Sequence, residues 1–312
     1  MRFRRLTFLF FVFALVGAAP QAYGKEQWTS VRSKNFYLVG DASEKELTRA
    51  AKNFEEFREA LTRLFPTLRF NSPVPITVIV FNNEKSFKPF KPLNEQGKPT
   101  EWTAGYFHPR EDANYIVMSA DGDRQQVYKI IFHEYFHFVA KNTFGRSQMP
   151  PWLNEGLAEY YDSTEIAGSD RVRVGNLNNN HLYTLRNNRL IPLDEFLAYD
   201  HYTLNRQKGH GANIFYAQSW AFMHFLIHGN GGARAPLVNR YLNAVMQGSD
   251  AAEAFPKVFG SSTAEIDEEF RRYINRNSYT AVEIRLREPL ASYDTFPTAR
   301  LANADAKAIL GD

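Results

Sequence analysis

The 312-residue chain contains no cysteine. That excludes disulfides, thiolate metal sites, a cysteine nucleophile and a lipid-acylated N-terminal cysteine. Neither sign of charge is in strong excess: 37 basic against 34 acidic side chains give a formal charge of +3. The surplus sits at the front, where Arg2, Arg4 and Arg5 precede any acid. Beyond Gly24 the count is 34 against 34, which removes the electrostatic basis for binding nucleic acid. Internal repeats, low-complexity tracts and a Gly-x-Ser-x-Gly nucleophile elbow are also missing. The longest apolar run, Leu6 to Ala19, is shorter than the ~20 residues a spanning helix needs.

What is present is apolar bulk. Hydrophobic residues make up 44% of the chain, with 26 Phe and 16 Tyr, ample for a core and too much for a disordered polymer. The length fits one large domain or two small ones. A basic start, an apolar run and then Ala22-Tyr23-Gly24 follow the order of a secretory signal peptide, with cleavage expected after Gly24. That reading makes 1–24 a leader and the mature protein exported, periplasmic or secreted, without stable membrane insertion.

Patterning divides the rest. Asn35–Gly40 reads as a strand ending in a turn, and Ser43 with Glu46 as the opening of a helix that Pro66 stops. Pro75–Phe81, apolar and β-branched throughout, reads as a buried strand. Thr103–Phe107 and Asn114–Ser119 read as a hairpin around His108–Asp112. From Arg124 the spacing turns helical: Arg124 to about Asn142, Trp152–Tyr161 with Pro151 in its first turn, Asn213–His228, Ala235–Met246 and Ser262–Arg276. The polar stretch 162–211 reads as irregular, Lys85–Lys91 as a solvated loop with apolar anchors, and Ala302–Leu310 as helix-prone. Strands first and helices after imply an α+β fold.

The chemistry concentrates in His133-Glu134-Tyr135-Phe136-His137. On a helix the two histidines lie one turn apart on one face, so both imidazoles can address one metal. Glu134 beside them is placed to take a proton from water. Two satisfied core histidines in a buried helix are the alternative. Two imidazoles leave a zinc site short of its usual third protein ligand. After a 17-residue gap come Glu155 and Glu159, again four apart, in Trp152-Leu-Asn-Glu-Gly-Leu-Ala-Glu-Tyr160. One carboxylate can bind the metal while the other accepts an N–H from a ligand histidine.

His-Glu-x-x-His followed by Trp-Leu-Asn-Glu-Gly-x-Ala resembles the gluzincin metallopeptidases. Together with Gln218-Ser-Trp-Ala221, the wording is most similar to the bacterial peptidase-MA-like group, over roughly Phe36 to Tyr273. The resemblance implies one zinc per chain bound by His133, His137 and Glu155, with Glu134 as general base and Glu159 supporting a ligand. It implies a thermolysin-like core: an N-terminal mixed sheet with a helix, then a helical part. In it the strand Asn114–Met118 feeds the active helix, and Thr103–Phe107 is an edge strand pairing with extended peptide through Ala104, Gly105 and Tyr106. Tyr216 stands where aminopeptidase-type gluzincins carry an oxyanion-binding tyrosine ahead of a helix. No motif for capturing a free α-amino group is present, so endopeptidase is preferred to aminopeptidase, with a peptide or protein as substrate. A zinc-binding scaffold and a cell-wall peptide hydrolase are the competing readings.

The expected division is therefore 1–24 leader, 25–123 α/β part, 124–280 helical catalytic part and 281–312 C-terminal tail. His224 and His228, four apart without an acidic partner at ligand spacing, read as packing residues, and His210, ahead of the helix Asn213–His228, is expected to approach the cleft; His108, His181 and His201 carry no assigned role.

Overall fold

The computed structural model describes residues 27–72, 74–93, 97–99, 105–110, 113–121, 124–145, 149–206 and 210–311. The expected leader, Ala104 and the turn residues 111–112 lie outside them. The first half comprises β1 (Thr29–Arg32), β2 (Tyr37–Gly40), α1 (Glu44–Leu64), β3 (Ile76–Phe81), α2 (Glu84–Phe87), β4 (Gly105–Pro109) and β5 (Asn114–Ser119). Then come α3 (Arg124–Phe144), α4 (Pro151–Tyr161), β6 (Glu165–Ile166), β7 (Arg171–Val174), α5 (Asn179–Arg186), α6 (Leu193–Ala198) and α7 (His201–Arg206). The chain continues through α8 (His210–His228), α9 (Ala235–Met246), α10 (Ala251–Phe259), α11 (Thr263–Ile274), β8 (Val282–Arg285), β9 (Thr298–Arg300) and α12 (Asn303–Gly311). The fold is α+β.

Six strands form a mixed sheet in the order β4-β5-β3-β2-β1-β9. Its centre, β2-β3-β5, is parallel, and β4, β1 and β9 are added antiparallel. Side chains alternate between two faces, as the strand period demands. Val31, Leu38, Val78, Val80, Ile116 and Met118 join the main core under α1 and α3. Val39, Ile79, Phe81, Tyr115 and Val117 join a smaller core closed by Trp28, Phe87 and Ala306 of α12. Both faces are covered, which is why β3 reads as an unbroken apolar run rather than an alternation.

α1 docks on α3 through aromatic contacts, with Phe57 stacked on Phe132 at a centroid distance of 3.7 Å. Ser43 caps α1 by accepting from the Glu46 amide. Behind α3, α4 packs along α8. A Cβ on Gly156 would meet the Ser219 carbonyl oxygen at 2.8 Å, so only glycine permits this approach of the two backbones.

Three expectations are corrected. The stretch 162–211 is not irregular: it holds β6, β7, α5, α6 and α7, each of eight residues or fewer and too short to display a period. The segment 281–312 is not a tail, because β8 pairs with β7, β9 pairs with β1, and α12 closes the smaller core. Both strands are largely exposed and held by backbone hydrogen bonds, which leave no apolar signature. Within Lys85–Lys91 the chain forms α2 and a 3-10 turn, and Lys91 is buried with its ammonium 2.8 Å from Glu84.

Candidate metal centre

α3 is buried on most of its circumference. Ile131, Phe132, Tyr135, Phe136, Phe138, Val139 and Ala140 all lie in the core. The stripe that stays partly open carries His133, Glu134 and His137. Polar groups on an otherwise apolar helix are costly unless they find partners. α4 supplies them: Pro151 starts it directly after Pro150, and it presents Glu155 and Glu159 to the α3 stripe.

Three atoms converge. His133 Nε2 and His137 Nε2 are 3.0 Å apart, and Glu155 Oε2 lies 3.4 Å from the first and 3.3 Å from the second. Two imidazole lone pairs facing one another at that distance repel unless a positive charge sits among them. A tetrahedral centre with ligand bonds of ~2.0–2.1 Å has ligand atoms separated by roughly 3.3–3.4 Å, so the triangle has the dimensions of a zinc-sized tetrahedral face. Glu155 Oε2 is buried and makes no hydrogen bond of good geometry, as expected of an atom aimed at a shared centre. The three residues can hold a metal ion.

The electrostatics of the triangle match. Burial alone would lower the His137 pKa, but the Glu155 carboxylate 3.3 Å away, with smaller help from Glu134 and Asn154, raises it to about 9. Burial likewise pushes Glu155 up, but the close imidazoles of His133 and His137 bring it down to about 2.

Around the triangle lies a supporting layer. Glu159 Oε1 is 3.8 Å from His133 Nδ1, and Glu159 Oε2 is 2.8 Å from His181 Nε2. Burial raises the Glu159 pKa, yet the His181 hydrogen bond and nearby positive charges leave it lowered. Asn154 lies beside His137, although neither its Oδ1 nor His137 Nδ1 has a hydrogen bond of good geometry. Asp162 ends α4, its carboxyl raised by burial and by Glu159, with Lys129 opposing at 3.6 Å. His133, Glu159 and Asp162 form a second group spaced for a metal, but the Lys129 ammonium already supplies the positive charge there.

Glu134 lines an open cavity of about 350 Å³ together with His133, Glu159, Lys129 and His181. Tyr216 sits six residues inside α8 rather than ahead of a helix, because α8 begins at His210. Its phenol is half-buried, and burial followed by the charges of Glu155, Glu134 and Glu159 pushes its pKa up to about 12. The phenol therefore lies within electrostatic reach of the acidic cluster and stays neutral.

β4 is an edge of the main sheet among the described residues. Gly105 packs toward Ile131 of α3, but Tyr106 turns to the opposite face and donates its hydroxyl to Phe90 O at 2.6 Å. A contribution of Tyr106 to the cleft is therefore limited to its backbone. The side chains of His201 and His210 lie outside the description. His224 and His228 are packing residues: His224 bonds Tyr273 and Gly175, and His228 bonds Tyr160.

Sequence reasoning missed His181 and the placement of Asn154. Asn154 adjoins Glu155 and could have been suspected from adjacency. His181 had a weaker signal, the cap residue Asn178 that starts α5.

Residues 126–242 match the family model described as Protein of unknown function (DUF1570). The matched span runs from α3 into α9 and includes every residue of the triangle and its supporting layer. No curated protein matches the sequence.

Proposed function

We propose that this chain is an exported zinc peptidase of the gluzincin type, hydrolysing internal peptide bonds on a thermolysin-like core. The observation that carries the reading is the 3.0–3.4 Å triangle of His133, His137 and Glu155 with Glu134 on the same helix stripe. A buried packing arrangement would have no use for three convergent lone pairs or for an acid beside them.

Zinc held by those three residues would acidify a bound water and polarise a peptide carbonyl. Glu134, part-buried and open to the cavity, accepts the proton of the attacking water and returns it to the leaving nitrogen. The Glu159 carboxylate, 3.8 Å from His133 Nδ1, favours the proton on that nitrogen through its charge, so that Nε2 keeps its lone pair for the metal. Tyr216, protonated across the physiological range, donates to the oxygen that gains charge in the transition state. The backbone of Gly105 and Tyr106, on the sheet edge, offers extended peptide a strand to pair with.

Incubation with a random peptide library, wild type beside Glu134→Gln, tests the reading. Cleavage by wild type and its loss in the variant, with zinc retained by both, are expected. Equal cleavage by both proteins would refute the role of Glu134. No cleavage by zinc-loaded wild type would favour the scaffold.

A further inference from the structure

We infer that His181 is a positioning residue for the metal centre, holding Glu159 in the orientation that His133 requires; this rests on the zinc-site reading above. Glu159 has two imidazole neighbours, and the closer is not the ligand. His181 Nε2 lies 2.8 Å from Glu159 Oε2, whereas His133 Nδ1 lies 3.8 Å from Glu159 Oε1. The shorter contact fixes the plane of the carboxylate, and the longer one inherits its direction.

Glu159 needs such an anchor. It shares its surroundings with the buried Asp162, whose Oδ1 has no hydrogen-bond partner and offers Glu159 no fixed support. Lys129 faces Asp162 at 3.6 Å, which leaves His181 as the closest donor to Glu159 among the described contacts.

His181 is itself built in place. The Asn178 side chain accepts from the His181 amide and starts α5 there. Trp220 of α8, fully buried, packs against the imidazole at a centroid distance of 5.8 Å. The ring thus ties α5 and α8 to the α3–α4 ligand set, and the metal site spans four helices rather than two.

The test is zinc affinity of the purified protein, measured by chelator competition, for wild type, His181→Phe and His181→Gln. Phe keeps a ring against Trp220 and removes the donor; Gln restores an N–H at similar reach. Partners of metal ligands typically contribute 10–100-fold, and His181 acts one contact further out, so His181→Phe should weaken zinc about tenfold. His181→Gln should stay within about threefold of wild type, and both variants should melt close to wild type. Equal affinity of the Phe variant and wild type would overturn the inference while leaving the zinc reading intact. Loss in Gln as large as in Phe would assign the effect to ring packing and also overturn it. Wild type that takes no zinc would overturn the zinc reading and this inference together.

Discussion

Acidification should loosen α8 through one imidazole. His224 is fully buried, and both ring nitrogens are engaged: Nδ1 lies 2.6 Å from the Tyr273 hydroxyl and Nε2 3.2 Å from Gly175 O. The carbonyl requires a proton on Nε2, so Nδ1 accepts from the tyrosine and the ring is satisfied only when neutral. His228 stacks on it at 4.2 Å, and Tyr160, Tyr279 and Trp220 pack around it, with no acid in contact among the described residues. Burial, then the His228 charge, outweigh the Gly175 carbonyl and lower the His224 pKa from 6.5 to about 3. A depressed histidine pKa means that the unfolded chain binds the proton first. Its stabilisation is therefore present above pH 6.5 and lost progressively as pH falls toward 3. Between pH 7 and pH 5 the linkage relation gives a loss of about 2 kcal/mol from this residue. Urea unfolding of wild type and His224→Gln at both pH values isolates it, since glutamine keeps a donor and an acceptor but cannot titrate. The difference in unfolding free energy between the two pH values should be about 2 kcal/mol smaller in the variant. Identical pH dependence in the two proteins would refute the reasoning.

Gly156→Ala should lower the melting temperature, although alanine in an exposed helix would gain about 1 kcal/mol. The new Cβ would sit 2.8 Å from the Ser219 carbonyl, and overpacking between two backbones costs about 1–3 kcal/mol. A rise in melting temperature by calorimetry would contradict the α4–α8 contact. Tyr216→Phe should keep fold and zinc while kcat falls by roughly 10²-fold, the usual loss for one oxyanion donor. A kcat within a few-fold of wild type in a peptide-cleavage assay would remove the phenol from the transition state.

The legible parts of this molecule were those written within one element. His133 and His137 share a helix face because they are four apart, and the same spacing pairs Glu155 with Glu159, so both pairs could be read before any packing was known. β3 and α1 announced themselves through an unbroken apolar run and a clear 3.6 period. The contacts that needed tertiary structure were not legible. His181 reaches Glu159 only after β6, β7 and the Asn178 turn bring α5 back over α4. The pattern puts Tyr216 at a helix start because the polar residues before Asn213 hide the first turn of α8. β1, β8 and β9 are four residues or fewer, and β8 and β9 bury almost nothing, so a pattern-based reading has no apolar period to detect. The tyrosine on β4 illustrates the period of two: Gly105 faces α3, so Tyr106 must face away.

The central claim is that His133, His137 and Glu155 form a zinc site, and elemental analysis of the purified protein addresses it most directly. Wild type, exposed to zinc and then dialysed against a weak chelator, should retain one zinc per chain by inductively coupled plasma mass spectrometry. Glu155→Ala should retain almost none, because three protein ligands leave no spare. Wild type without zinc, or Glu155→Ala at full occupancy, would contradict the account.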